Sequence, residues 1–288
     1  MRVAHIILTH KNPAQLGRLV KSMQHPQFDF YIHADAKVAL DTWKVNENFP
    51  GVTFIQKRVE CNWGGFTIVQ AIFNAISEVL SSGKTYDFIN LLSGQDYPIN
   101  SPQNIYDFLL QHPGKNFIAY DESHQTEWWR TAADRYEKYH FTDLNFRGRF
   151  FAERIVNMIA PSRKVPDGTT LYGGNKATWW TISGECAAYM NNQFNHSPRL
   201  INFLRFCWGT DEIVIPTLIM NSVFKNQVVN DNLRYIDWSE GNASPKSFDI
   251  SDFEKISRSK MLFARKFDLD HDEKILNKID QTLLTNKQ

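Results

Sequence analysis

The run Val3-Ala4-His5-Ile6-Ile7-Leu8-Thr9, the helix signal Asn12-Pro13 and the run Phe28-Asp29-Phe30-Tyr31-Ile32-His33-Ala34 decide the fold of this 288-residue chain. The first run is short, apolar and rich in β-branched side chains, which predicts a buried strand. Asn12 is a helix cap and Pro13 suits the first helical position. Leu16, Leu19, Val20 and Met23 then keep helical spacing. Phe28 to Ala34 reads as a second strand and Val52 to Gln56 as a third. Strand, helix, strand at this spacing is the pattern of a parallel α/β sheet.

The pattern continues outward. A helix is predicted from about Thr67 to Leu80, with Ile68, Ala71, Ile72, Ala75, Ile76 and Val79 on one face. Tyr86 to Leu92 is apolar throughout and reads as a central strand. Ser101-Pro102 caps a helix to Gln111, and Asn116 to Tyr120 is a fifth strand. From Asp121 to Gly168 clear period is lost, although Trp128, Trp129, Arg130, Tyr136, Tyr139, Arg147 and Arg149 crowd there. This stretch reads as an aromatic-rich insert, either a lid or acceptor-binding region or an irregular unit packed on its rings. Pro161 to Gly168 is expected to be a mobile surface loop. Beyond it come a strand at Ala177–Ile182, a helix capped by Ser183, and a helix from Gly209 through about Phe224. A strand at Leu233–Trp238, a helix at Asp252–Arg258, an extended piece at Leu262–Phe267 and a closing helix at Asp272–Leu284 follow. With no repeat and no clear linker, residues 1–288 read as one domain.

Composition narrows the function. The net charge is +1 and no Lys/Arg run stands out, which excludes a nucleic-acid footprint. Aromatic residues make up 14% of the chain, which weakly favours a stacking site for sugars or bases. Cys61, Cys186 and Cys207 are odd in number and far apart, so they read as free thiols in a reducing compartment. No apolar run reaches membrane-spanning length. A cytoplasmic protein, at most peripheral to a membrane, is the expectation.

Four stretches can carry chemistry. Asp35 lies where a strand ends, where open α/β sheets bind ligands; it reads equally as a turn cap or as a ribose or uracil acceptor. Trp63-Gly64-Gly65 joins a flat ring to residues that admit close backbone approach. Asp96, in Ser93-Gly94-Gln95-Asp96-Tyr97-Pro98, has no second carboxylate beside it, which makes a poor divalent-metal site and favours a structural or positioning role. Asp211 and Glu212 open a helix; one of them can serve as a general base, and local sequence does not choose between them. Arg265 and Lys266 close the argument. A planar fork of donors beside a compact point charge suits a diphosphate leaving group. Departure of a nucleoside diphosphate needs a metal ion or fixed cations, and here the cations are present.

In order along the chain, Ile7-Leu8-Thr9-His10, Tyr31-Ile32-His33-Ala34-Asp35, Trp63-Gly64-Gly65, Phe88 to Ile99, Gly173-Gly174 with Trp179, Asp211-Glu212, Asp237-Trp238 with Ser244-Pro245, and Phe263-Ala264-Arg265-Lys266-Phe267 are similar to one family. The chain resembles the core-2/I-branching glycosyltransferases, and within them the peptide O-xylosyltransferases. The resemblance implies a GT-A type fold, a single Rossmann-like α/β domain with a mixed, mostly parallel sheet flanked by helices. It implies an inverting transfer of a xylose or N-acetylglucosamine type sugar from a UDP-sugar to an acceptor hydroxyl, with no metal and no other cofactor. Glu212 then matches the catalytic base, Arg265 and Lys266 the diphosphate clamp, and Asp35 the nucleoside contact. Leu8, Trp63 and Trp179 match positions lining the donor pocket. The acceptor would be a glycan, a lipid-linked glycan or a peptide. The animal members' anchor, stem and disulfides have no counterpart here, so the expectation is a bacterial relative in polysaccharide or glycoconjugate assembly. The rivals are a non-catalytic carbohydrate-binding protein on the same sheet and a nucleotidyltransferase.

Overall fold

Alternate side chains of the first strand, β1 (Val3–Thr9), enter two different cores. Ala4 and Ile6 pack on one side of the sheet, Val3 and Ile7 on the other. Both faces are therefore covered, as the unbroken apolar run requires. The computed structural model describes residues 1–43, 48–122, 125–166 and 168–285.

Helix α1 (Pro13–Ser22) leads from β1 to β2 (Phe28–Ala34), with the Asn12 side chain accepting from the Gln15 amide. β3 (Val52–Phe54) is shorter than the expected 52–56 strand. Helix α2 (Phe66–Leu80) follows, and its buried face is wider than predicted, since Phe66, Val69 and Phe73 are also inside. Then come β4 (Phe88–Ser93), β5 (Asp96–Pro98), α3 (Pro102–Leu110) and β6 (Asn116–Ile118). The 121–168 stretch is not irregular: it holds α4 (Glu127–Glu137) and α5 (Arg149–Ile159). Thr126 caps α4. Neither helix shows a broad apolar face turned to the core, which is why its period was illegible.

β7 (Thr181–Ser183) is shorter than the strand expected at 177–182. Helices α6 (Gly184–His196) and α7 (Pro198–Leu204) follow. The helix expected from Gly209 to Phe224 is broken into a 3-10 turn at Thr210–Glu212, α8 (Val214–Met220) and a second 3-10 turn. Pro216 explains the first break. It has no N–H to donate to the Glu212 carbonyl four residues back, and that carbonyl accepts from Gly174 instead, at 3.3 Å. β8 (Val228–Asn230), β9 (Arg234–Ile236), α9 (Phe253–Ser257), β10 (Phe263–Arg265) and α10 (Glu273–Thr282) complete the chain.

Seven strands form the main sheet in the order β3-β2-β1-β4-β7-β6-β8. All neighbours are parallel except those of β7, which runs antiparallel to both β4 and β6. The sheet is thus mixed and mostly parallel, flanked by helices, with β4 at its centre as expected. A second sheet of three strands, β5-β10-β9, stands beside it. Arg234 of β9 joins the two: its buried guanidinium donates to the Leu91 and Trp180 carbonyls at 2.9 and 3.1 Å and to the side chains of Asn90 and Thr181. Burial lowers its pKa to about 9. Gln15 does similar work, donating to the Gly94 and Phe267 carbonyls at 2.9 and 3.0 Å and so holding the end of β10 against the end of β4.

The segment 161–166 lacks regular structure, as expected, but it is pinned rather than loose. Arg163 donates to the carbonyls of Lys138 and Phe206, and its guanidinium lies 4.6 Å from the Phe203 ring centre. Asp167 of the predicted loop lies outside the described residues. The three cysteines are free. No helix among the described residues is long and apolar enough to cross a membrane.

Candidate active site

In an open α/β sheet the crevice lies where strand order reverses, at the carboxyl ends of the strands. Here that point is between β1 and β4, with β2 alongside. A cleft of about 500 Å³ opens there. Leu8, Asp35, Trp63, Trp179, Glu212, Arg265 and Lys266 all line it, although they come from both ends and the middle of the chain.

The cation end is built on β10. Arg265 pairs with Asp96 across the small sheet, Nη1 to Oδ1 at 3.2 Å, in register in the β5–β10 ladder. Its guanidinium lies 4.2 Å from the Trp179 ring centre. One salt partner and one aromatic face fix the fork in place. Asp96 is fully buried and also accepts from the Ser93 amide at 2.8 Å, so it ties the Arg265 strand to the end of β4. Burial lowers the Arg265 pKa from its ordinary value, and the Asp96 charge opposes that. Lys266 reaches Ser244 Oγ at 3.2 Å. Trp238, Ser244 and Pro245 complete this wall.

The carboxylate end is built by the 3-10 turn at Thr210–Glu212. Asp211 accepts from Thr178 Oγ1 at 2.8 Å, which ties it to the segment before β7. Glu212 faces α4 instead. Its Oε2 accepts from Trp128 Nε1 at 3.1 Å and from Arg135 Nη1. Both bonds fall on the same oxygen, which leaves Oε1 for another donor. Arg135 is itself held between rings, 5.1 Å from the Trp128 centre and 4.7 Å from that of Trp208. Burial raises the Glu212 pKa and the Asp211 charge adds to it; Arg135 and Trp128 pull the other way.

Asp35 performs the capping role and also lines the cleft. Its two oxygens accept from the Lys37 and Cys61 amides at 2.8 and 3.1 Å. This fastens the end of β2 to the segment that carries Trp63. Trp63 is 65% exposed and meets Trp208 edge to face, with ring centres 5.1 Å apart. Gly64 next to it has φ +72°, and a Cβ there would lie 2.5 Å from the Trp208 indole nitrogen. Its carbonyl accepts from the Gly209 amide at 2.8 Å, so this turn supports the Glu212 turn directly. Gly173 is needed for the same reason: a Cβ would lie 2.7 Å from both the Glu212 carbonyl and the Trp128 ring.

Sequence reasoning missed Arg135 and Trp208 as cleft residues and saw Trp128 only as part of an aromatic insert. The signal available was the spacing of Trp128 and Arg135, seven residues or two helical turns apart, which puts them on one helix face. Among the described residues no three His, Cys, Asp or Glu side chains group as a metal site requires.

Comparison with known proteins fits this arrangement. Residues 3–261 match the family model described as Core-2/I-Branching enzyme. "Xylosyltransferase" of Ciona intestinalis is 26% identical over 301 residues, covering 97% of this chain and 34% of that protein. "Xylosyltransferase oxt" of Drosophila melanogaster is 23% identical, covering 98% and 33%. "Xylosyltransferase 2" of Homo sapiens is 25% identical, covering 97% and 33%. The chain spans about a third of the length of these curated relatives. With nine-tenths of its residues inside the matched region, it belongs to the Core-2/I-Branching enzyme family.

Proposed function

We propose that the chain is an inverting glycosyltransferase that moves a sugar of the xylose or N-acetylglucosamine type from a UDP-sugar to an acceptor hydroxyl. One observation carries the reading: a cation pair and a half-buried carboxylate line the same cleft at the strand ends. Glu212 takes the acceptor proton at Oε1. The acceptor oxygen then bonds to the anomeric carbon, and the bond from that carbon to the diphosphate breaks with its electron pair going to UDP. Attack and departure on opposite faces invert the configuration. Arg265 and Lys266 neutralise the charge that grows on the departing diphosphate, the work a divalent ion does elsewhere. Trp63 and Trp179 supply flat faces, and Asp35 receives the nucleoside hydroxyl or base. The acceptor is a hydroxyl of a glycan, a lipid-linked glycan or a peptide.

The test is a panel of UDP-sugars assayed for hydrolysis and transfer, with and without a chelator. Turnover of one pentose or hexosamine donor, undiminished by chelator, supports the reading. Turnover that vanishes with chelator and returns with manganese overturns the metal-free step. Glycan binding with no affinity for UDP favours a carbohydrate-binding protein instead.

A further inference from the structure

Helix α5 is turned inside out. Arg149, Glu153 and Asn157, spaced i, i+4, i+8, share the side that meets the protein. Arg149 donates to the Thr142 and Leu144 carbonyls, both at 3.1 Å. Glu153 accepts from the Phe141 amide at 2.8 Å, and Asn157 bonds both the amide and the carbonyl of Tyr139, at 2.7 and 2.8 Å. The polar face is thus consumed in fastening the helix to the segment 139–144. Four large apolar side chains are sent outward, while Ile155 and Val156 are half-buried: Phe150, Phe151, Met158 and Ile159 are each between 68% and 75% exposed. Phe146, just before the helix, is exposed too.

A surface helix normally does the reverse, and a contiguous apolar strip left in water marks a docking face. The charges decide what docks. Arg147 and Arg154 are exposed within and beside the strip. The only carboxylate on the helix, Glu153, is occupied by the Phe141 amide. Two copies joined about a two-fold axis through this strip would set Arg154 against Arg154, a like-charge contact. A face of phenylalanine, methionine and isoleucine edged by arginine fits an anionic lipid surface, which takes the rings among its acyl chains and the cations among its headgroups.

We propose that α5 is a peripheral docking helix for membranes containing anionic phospholipid. The helix follows α4, whose Arg135 holds Glu212 and whose carbonyl at Arg135 accepts from the amide of the cleft residue Trp208; the intervening segment is bonded through the His140 amide to the Phe206 carbonyl, two residues before Trp208. Docking therefore sets the carboxylate end of the cleft at a fixed height above the bilayer. The inference does not rest on sugar transfer, because lipid binding is read without donor or acceptor.

The experiment is co-sedimentation of the chain with phosphatidylcholine vesicles with and without phosphatidylglycerol, at low and high salt. The expected result is binding to the anionic vesicles that weakens with salt. The pair Phe150→Ser, Phe151→Ser should cut it on the order of ten-fold or more through lost apolar burial. The pair Arg147→Glu, Arg154→Glu should abolish the preference for anionic lipid. An unchanged thermal melt in both variants shows that they fold. No binding, equal binding to neutral vesicles, or binding that both variants retain overturns the proposal. So does a lipid-free dimer that Phe150→Ser, Phe151→Ser splits, which would assign the strip to a second copy.

Discussion

The two ends of the cleft are made from different material. Arg265 is positioned by the fold's own ladders: its strand pairs with β5 and β9, its counter-charge is Asp96 in the facing register, and Trp179 lies under the guanidinium. Glu212 sits on a turn that Pro216 interrupts, and its partners Trp128 and Arg135 come from a helix in the 121–168 insert. One end is rigid because the sheet is rigid. The other is rigid only as far as α4 is docked. A chain built this way can keep the cation end constant while the carboxylate end is remodelled, since an insert changes without disturbing a ladder.

The sharpest way to test the contrast is Glu212→Gln. Transfer should fall on the order of 10²–10⁴ while UDP affinity, measured by calorimetry, stays at the wild-type value. Full turnover in this variant would remove Glu212 from the chemistry and erase the distinction between the two ends. Next comes Arg265→Ala, which should weaken UDP binding roughly ten- to a hundred-fold. It also strands the fully buried Asp96 without its counter-charge, so the melting temperature should drop. Arg265→Lys separates the two effects: it keeps the charge for Asp96 and loses the fork. Unchanged UDP affinity in both variants would sink the clamp.

The contrast also accounts for what could be read in advance. The strand ends carrying Asp35 and Arg265 were legible because period and motif coincide there: an apolar run stops, and a charged side chain follows; Leu8 came only with the family resemblance. Trp63 announced itself through Gly64 and Gly65. The partners of Glu212 were hidden, because a salt bridge between positions 135 and 212 leaves no trace in local spacing. The two helices of the insert were hidden for a related reason. Periodicity reports burial against a core, and α5 bonds polar side chains to a loop, buries none of its residues, and leaves Phe150, Phe151, Met158 and Ile159 exposed. The broken helix after Gly209 was half legible. Pro216 was placed in a first turn, but the free carbonyl it leaves at Glu212 has meaning only once Gly174 is found beside it.

Two smaller changes probe the insert end alone. In the proposed mechanism Glu212 serves as base only when deprotonated, so kcat/KM should fall as pH drops below its pKa. Burial and Asp211 raise that pKa and Arg135 opposes them. Arg135→Gln removes the opposing charge and keeps a donor, so the acid limb of the profile should move to higher pH. A limb that does not move would mean that Arg135 braces the turn without tuning the base.

Trp128→Phe should do less, and in a way that separates charge from hydrogen bonding. The ring keeps most of its contact with Arg135 and with the backbone at Gly173, while the 3.1 Å N–H bond to Oε2 is lost. One hydrogen bond to a charged group is worth about 1.5–3 kcal/mol when its partner is left unsatisfied. Here Arg135 still serves the same oxygen, so the loss should sit below that range. The acid limb should rise less than it does in Arg135→Gln, with kcat down about a few-fold and UDP affinity unchanged. If Trp128→Phe instead matched Arg135→Gln in its pH profile, the tuning would come from the ordering of α4 against the turn, and the charge of Arg135 would be incidental to it.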